Sequence, residues 1–231
     1  MQFLQRKLLT IILVLASFTG LYAQEIDGNK LLRHLEYLSS DALEGRKPLS
    51  KGSSMAQKYI LTELTSLNLV EPLYPDFIQK FSFEDRRSKK MVVDASNMVV
   101  FIPGTSSKKV IVVTAHYDHV GIGRADAAGD SIYNGADDNA SGTAVLLELA
   151  RQASQHPEVQ GRNILFIAFS AEEDGLLGSK FFVENSPVPV HDFAYMLNID
   201  MVGRLNRADS LMIYATSSAD EWASILRDMP C

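Results

Sequence analysis

Cysteine is nearly absent: the only one among 231 residues is Cys231, the last. No internal disulfide can form, so the fold rests on its core and on any bound metal. Basic charge is not in excess. The 22 Lys and Arg face 28 Asp and Glu, a formal net charge of −6. A phosphate-binding basic face is not indicated, and no nucleic-acid partner is expected. Acidic residues gathered in one place instead attract divalent cations. Long apolar runs are scarce as well. The clearest, Leu8 to Leu15, is short for a membrane span. Internal repeats and low-complexity tracts are missing. Histidine is sparse, at five residues, and none follows His191.

What is present suits a soluble α/β domain. The hydrophobic fraction is 46% and the charged fraction 22%, near globular averages. The length fits one domain of ordinary size or slightly more. Arg6 and Lys7 precede the first apolar run, and small Ala23 stands before polar Gln24 and Glu25. This charged, apolar, small-residue order predicts a secretory signal peptide over residues 1–23, cleaved after Ala23. The alternative is an uncleaved anchor helix. No cysteine follows the run, so a lipid anchor is not expected. A secreted or periplasmic location follows, with residues 24–231 as the mature domain and no membrane span after cleavage.

Apolar spacing predicts a helix starting after Asp27, its N-cap, and a second from about Ser54 to Leu67. Gly45 to Gly52 reads as a loop. Phe77–Phe83, Met91–Val93 and Met98–Ile102 read as strands. Val110–Val113 and Ile164–Phe169 are continuous apolar runs, expected of strands covered on both faces. Phe193–Ile199 and Leu211–Tyr214 are further expected strands. Helices are expected over Gly142–Gln155, Gly178–Asn185 and Glu221–Met229. Alternating strands and helices imply an α/β fold with a mixed, mostly parallel central sheet flanked by helices. Ligands in such folds bind beyond the carboxyl ends of the strands.

The chemistry-bearing residues stand there. Thr114-Ala115-His116-Tyr117-Asp118-His119 follows one apolar run, and Gly135-Ala136-Asp137-Asp138-Asn139-Ala140-Ser141-Gly142 comes next. Ala171-Glu172-Glu173-Asp174-Gly175 follows the second run, and Asn198-Ile199-Asp200-Met201 ends the third. Each is unremarkable alone: a structural histidine, a turn, a solvated acidic loop. Asp200 is harder to dismiss, because an unpaired carboxylate after a mostly apolar run is costly. Together they offer the nitrogen and oxygen donors of a hydrolytic zinc site. Two zincs about 3.5–4 Å apart share a carboxylate, and Asp138, in a Gly- and Asn-containing loop, suits that bridge. His116 supplies an imidazole, and Asp118 is placed to hold its other ring nitrogen. Glu173 and Asp200 complete the accessible ligands. Glu172 is then free to take a proton from an activated water and pass it to a leaving amine. His119 and Asp174 read as solvent-facing or supporting residues, and His156 and His191 as surface histidines. Mixed N/O donors favour zinc over magnesium.

At these residues the chain resembles the zinc-dependent aminopeptidases of peptidase family M28, whose relatives include glutamate carboxypeptidase-type enzymes and glutaminyl cyclases. The matching segments are Ala115 to Asp118, Gly135 to Gly142, Ala171 to Gly178 and Asn198 to Gly203, together with the lead-in Leu35 to Arg46. The resemblance implies His116 and Asp200 on one zinc, Asp138 as the bridge, Glu173 on the other zinc, Glu172 as general base and Asp118 as the residue orienting the histidine. It implies an eight-stranded mixed sheet of the phosphorylase/hydrolase-like type, two zinc ions in the full-length protein and a peptide substrate. The family's final ligand is a distant histidine, for which this sequence has no match. The end at Met229-Pro230-Cys231, without capping glycine or closing strand, is that expected of a partial chain.

An exported metallo-aminopeptidase is the expected activity. The alternatives are a one-zinc glutaminyl cyclase, a carboxypeptidase or dipeptidase, and a non-catalytic peptidase-like binding module. A carboxypeptidase grips its substrate with arginine, and Arg124 and Arg204 lie near the motifs. Arg204 is expected to pair with an acidic neighbour. Side-chain specificity and oligomeric state leave no mark on the sequence.

Overall fold

In the computed structural model, residues 26–227 are described apart from 69, 86–88, 107, 157–160 and 206–209. The expected signal segment, its cleavage point and Cys231 lie outside the described residues. No helix among those described is long and apolar enough to cross a membrane.

The chain opens with α1 (Gly28–Leu38), capped as expected: Asp27 accepts from the backbone N–H groups of Asn29 and Lys30. A 3-10 segment (Asp41–Arg46) leads to α2 (Lys51–Thr65), capped by Ser50. The short β1 (Glu71–Pro72), β2 (Ile78–Glu84) and β3 (Met91–Ile102) follow. β3 is one strand where two were expected. Asp94 has φ +62, yet pairing with β2 continues on both sides of it, with a register shift between Phe81 and Phe83. Next come β4 (Val110–His116), the two-residue strands β5 (Gly121–Ile122) and β6 (Ile132–Tyr133), α3 (Gly142–Gln155), β7 (Asn163–Phe169), α4 (Leu177–Glu184), β8 (Phe193–Asn198) and α5 (Trp222–Arg227).

The central sheet has the order β1-β3-β7-β4-β8, with β2 also paired to β3. β3 is antiparallel to β1, β2 and β7, whereas β4 is parallel to both β7 and β8. Every strand of the sheet except β3 therefore runs in one direction. The resemblance implies eight strands; the sheet formed by the described residues has six. Leu211–Tyr214, expected as a strand, is exposed and pairs with nothing in this sheet.

Period-two alternation divides the core. Met98, Val100, Val113, Ala115, Phe166 and Ala168 face α1, α2 and α3 through Leu38, Ile60, Leu64, Leu146 and Ala150. Val99, Val112, Leu165, Ile167 and Phe169 face the other side, where Phe182 of α4 packs. The two runs expected to be covered on both faces, in β4 and β7, are mostly buried, but the edge strand is not. Tyr195, Met196 and Leu197 of β8 are exposed, so this strand presents apolar side chains on both faces.

The sheet positions the site by one feature. β7, β4 and β8 are adjacent and parallel, with His116 level with Phe169 and Thr114 with Asn198. Their carboxyl ends therefore emerge side by side, the edge at which open α/β sheets hold ligands.

Candidate metal centre

His116 is the last residue of β4, and its side chain is 4% exposed. Its Nε2 lies 3.2 Å from Asp138 Oδ1, 3.4 Å from Asp200 Oδ1 and 4.0 Å from Glu172 Oε2. Donors about 2.0–2.2 Å from one tetrahedral zinc are separated from each other by roughly 3.4 Å. Both aspartate distances from His116 are close to that spacing, and one ligand atom from each of the three residues lies within 4.8 Å of the others, so this donor set fits zinc. His119, expected to be peripheral, also turns inward: Nδ1 is 2.6 Å from Glu173 Oε1 and 4.0 Å from Asp138 Oδ2. The two oxygens of Asp138 thus face different histidines. Through these contacts Asp138, His116, Asp200, Glu172 and Glu173, five of the six expected site residues, join one cluster with His119.

Asp118 faces His116 and also ties two turns together. Its carboxylate Oδ1 is 3.7 Å from His116 Nδ1, while its own backbone carbonyl is closer, at 3.2 Å. The fully buried carboxylate also accepts from the backbone N–H groups of Glu172 and Glu173, at 3.2 and 3.4 Å. One side chain therefore joins the β4 end, which carries His116, to the turn after β7, which carries the glutamate pair.

The Asp138 loop is fastened in the same manner. Asn139, fully buried, donates to the carbonyl of Ile199 and accepts from the N–H groups of Gly142 and Met201. Ser141 Oγ donates to the Asp137 carbonyl and accepts from Val202 N–H. Asp137 accepts from Gly203 N–H, and Arg204 stands 3.9 Å from its other oxygen, as expected for a loop arginine. The first aspartate of the pair is thus a clamp between loops, and the second faces the donors. The peptide bond between Asp138 and Asn139 is cis.

Two supporting residues escaped the sequence reading. Arg46 is 1% exposed and donates to the carbonyls of Leu38, Tyr117, Asn134 and Gly135. Asn97 in β3 donates to Gln79 Oε1 and the Gly178 carbonyl and accepts from Ser170 N–H, fixing the start of the glutamate turn. The only sequence signal for Asn97 was an amide standing beside the apolar run Met98–Ile102. Arg46 was marked only as the end of a family-like segment.

Charge confirms how tightly the acids converge. Burial disfavours a charged His116, but contacts with Asp118, Asp138 and Asp200 outweigh it and push its pKa up to about 12. The His116 contact in turn holds the Asp138 carboxyl below its usual range, against the opposing effect of burial. Glu172 is raised, first by burial and then by its acidic neighbours Asp118, Glu173 and Asp200, with His116 opposing. A carboxylate raised in this way holds a proton more readily than a free glutamate does.

Comparison with known proteins agrees with this geometry. Over 95 residues the chain is 42% identical to aminopeptidase YwaD of Bacillus subtilis, a match covering 41% of this chain and 18% of that one. The fold resembles that of a Zn-dependent exopeptidase from Parabacteroides distasonis, with a TM-score of 0.64 at 23% identity over 78% of this chain and 63% of that one. A glutaminyl cyclase of Bacteroides thetaiotaomicron superposes with a TM-score of 0.62 at 23% identity, over 78% of this chain and 63% of that one. The chain therefore spans less than two thirds of the length of each of these relatives. The model of peptidase family M28 matches residues 97–228, a stretch longer than half the chain that contains every residue of the cluster, and the chain belongs to that family.

Proposed function

We propose that the protein is an exported aminopeptidase that hydrolyses N-terminal peptide bonds at a centre of two zinc ions. The observation that carries the reading is the division of Asp138: Oδ1 lies 3.2 Å from His116, which also meets Asp200, while Oδ2 lies 4.0 Å from His119, which bonds Glu173. A carboxylate with each oxygen turned to a separate donor group is what two ions sharing one ligand require. His116, Asp138 and Asp200 would hold one ion, and Asp138 and Glu173 would contribute to the other. When bound, the ions supply positive charge that eases ionisation of water and opposes the negative charge developing on the carbonyl oxygen.

Glu172 does the proton work. Its carboxylate lies at the edge of the cluster, 4.0 Å from His116 Nε2, and its pKa is raised. Water adds to the substrate carbonyl carbon, and Glu172 takes the proton lost. It returns that proton to the amine nitrogen as the carbon–nitrogen bond breaks. Asp118 keeps Glu172 in place through the backbone bond to its N–H. The surplus of carboxylates at this edge suits a substrate carrying a free ammonium group. Of the two arginines near the motifs, Arg204, for which a carboxylate substrate would have to compete, already faces Asp137. The name of the Bacillus relative supports the same substrate class. Export rests on the charged, apolar, small-residue order of residues 1–23.

A one-ion cyclase is the competing reading, and metal counting separates the two. After exposure to zinc and removal of the excess, the purified protein should retain two ions per chain and release amines from aminoacyl amides. Asp138→Ala should lose metal from both positions, because the shared anchor is gone. Full occupancy in that variant, or cyclisation of N-terminal glutamine in place of hydrolysis, would reject the proposal.

A further inference from the structure

We propose that the layer of three helices holds a binding site for a free α-amino acid, in a cavity of about 350 Å³ between α1, α2 and α3. The inference does not rest on the metal reading. Arg151, which lines the cavity, lies roughly 14 Å along α3 from the helix start at Gly142, next to the Asp138 loop. The volume is at the small end of the range for ligand pockets, which suits a molecule of few atoms.

The charges around the cavity are of both signs. Lys30 and Arg33 stand three residues apart on one face of α1, and Glu63 lines the same cavity from α2. None of these three makes an ion pair with another described residue. Arg151, the remaining cation of the lining, is already held by Glu148 at 2.5 Å. A simple anion in this cavity would be repelled by Glu63, and a simple cation by Lys30 and Arg33. A molecule carrying both a carboxylate and an ammonium meets both signs at once.

His34 supplies the most specific contact. It is 7% exposed, and its Nδ1 lies 2.6 Å from the Tyr59 hydroxyl. Its Nε2 has no hydrogen-bond partner among the described residues, and the ring lines the cavity. Burial, then Glu63 and Tyr37, push the Tyr59 pKa up to about 12 against the pull of Arg33, so the phenol keeps its proton. Burial also lowers the His34 pKa, with Glu63 and Glu148 opposing. The pair is therefore a neutral phenol beside a neutral imidazole near pH 7. The phenol is the stronger acid of the two, so its O–H donates to Nδ1 and the imidazole proton sits on Nε2. A largely enclosed donor is costly to leave unpaired, and a carboxylate oxygen beside Lys30 and Arg33 would meet it. Leu67 and Leu147 give the cavity an apolar wall, and the Tyr59 ring beside them is stacked on Tyr37 at 4.2 Å. The site thus divides into three parts: bases and an N–H for the carboxylate, Glu63 for the ammonium, and leucines for an aliphatic side chain.

The test follows the ring signals of His34 by NMR in the zinc-loaded protein, assigned as those lost in His34→Gln. Leucine should shift them to saturation. Isocaproate, which lacks the ammonium, and isoamylamine, which lacks the carboxylate, should each bind at least roughly tenfold more weakly, the cost of a lost bond to a charged group. Arg33→Gln and Glu63→Gln should weaken leucine binding by a similar factor while thermal unfolding stays as in wild type. Glu63→Gln should also bind isocaproate more tightly than wild type does, because the repelling charge is gone. Leucine held only at the metal centre would leave His34 unmoved, so the result does not depend on the fate of the metal reading. Unmoved His34 signals, equal affinity for leucine and isocaproate in wild type, or unchanged leucine binding in both variants would overturn the proposal.

Discussion

Arg46 shows how much of the site depends on residues that never meet the substrate. Its guanidinium has no carboxylate partner among the contacts described above; it bonds to four backbone carbonyls. Burial pulls its pKa down to about 10, with the charges of Asp118 and Asp138 opposing. Two of the carbonyls, Asn134 and Gly135, belong to the loop before Asp138, and a third, Tyr117, lies between His116 and Asp118. One planar fork thus fixes two ligand-bearing segments relative to each other. Arg46→Ala leaves several buried carbonyls unpaired at about 1–3 kcal/mol each, so a loss of roughly 3–5 kcal/mol is expected in urea unfolding. Arg46→Lys should recover only part, because an ammonium cannot reproduce the fork. Full recovery by lysine would show that the charge alone matters. The sequence marked this residue only as the end of a family-like segment and could not reveal its role. It stands in a Gly-, Pro- and Ser-containing stretch, and its acceptors lie as far as 89 positions away. The place of Glu172 was legible, because it stands next to Glu173 in the turn after an apolar run, and the structure puts it at the edge of the cluster. Glu172→Gln should retain metal while turnover falls by roughly 10²–10⁴-fold. Steady-state kinetics on an aminoacyl amide with parallel metal analysis checks this, and unchanged turnover would remove Glu172 from proton transfer.

At the scale of elements, local signals succeeded where the partner was local. Asp27 caps α1 through residues two and three positions on, so the cap could be read directly. The interruption expected between Val93 and Met98 vanished, because pairing with β2 carries β3 through Asp94. Leu211–Tyr214 failed in the opposite sense: an apolar run becomes a strand only when a ladder partner lies alongside. A longer-range tie joins α1 to α3. Glu148, 1% exposed on α3, accepts from Asp27 N–H and is paired with Arg151. Burial would raise its pKa, but Arg151, the Asp27 N–H and Gln152 together lower it from 4.5 to about 2. A carboxylate depressed in the folded state contributes stability above its unfolded pKa and loses it as pH falls through the folded value. Unfolding free energy should therefore drop by on the order of 2–3 kcal/mol from this group as pH falls from 4.5 to about 2. Glu148→Gln should be less stable than wild type above that window and should lack this part of the acid slope. Parallel pH profiles for the two proteins would show that Glu148 is not the titrating group.

For the whole molecule, the cluster couples folding to metal. The donors lie at positions 116, 119, 138, 173 and 200, on segments that only the parallel β7-β4-β8 arrangement brings together. An unfolded chain offers no such site, so a cation binds the folded state alone and stabilises it by RT ln(1 + [L]/Kd). Without metal, several carboxylates share a small volume in a chain already at −6, offset by a protonated His116. Zinc replaces that proton with a larger charge. At a free zinc concentration of about 1,000 times Kd the gain is about 4 kcal/mol, which for a chain of this size raises Tm by about 8–16 °C. Calorimetric scans with zinc and with a chelator measure the difference. In Asp138→Ala the zinc-dependent part should nearly disappear while the chelated baseline changes little or rises, since removing one carboxylate relieves repulsion. A zinc shift in that variant equal to the wild-type shift would place the stabilising ion elsewhere in the fold, away from the strand ends that the sheet brings side by side.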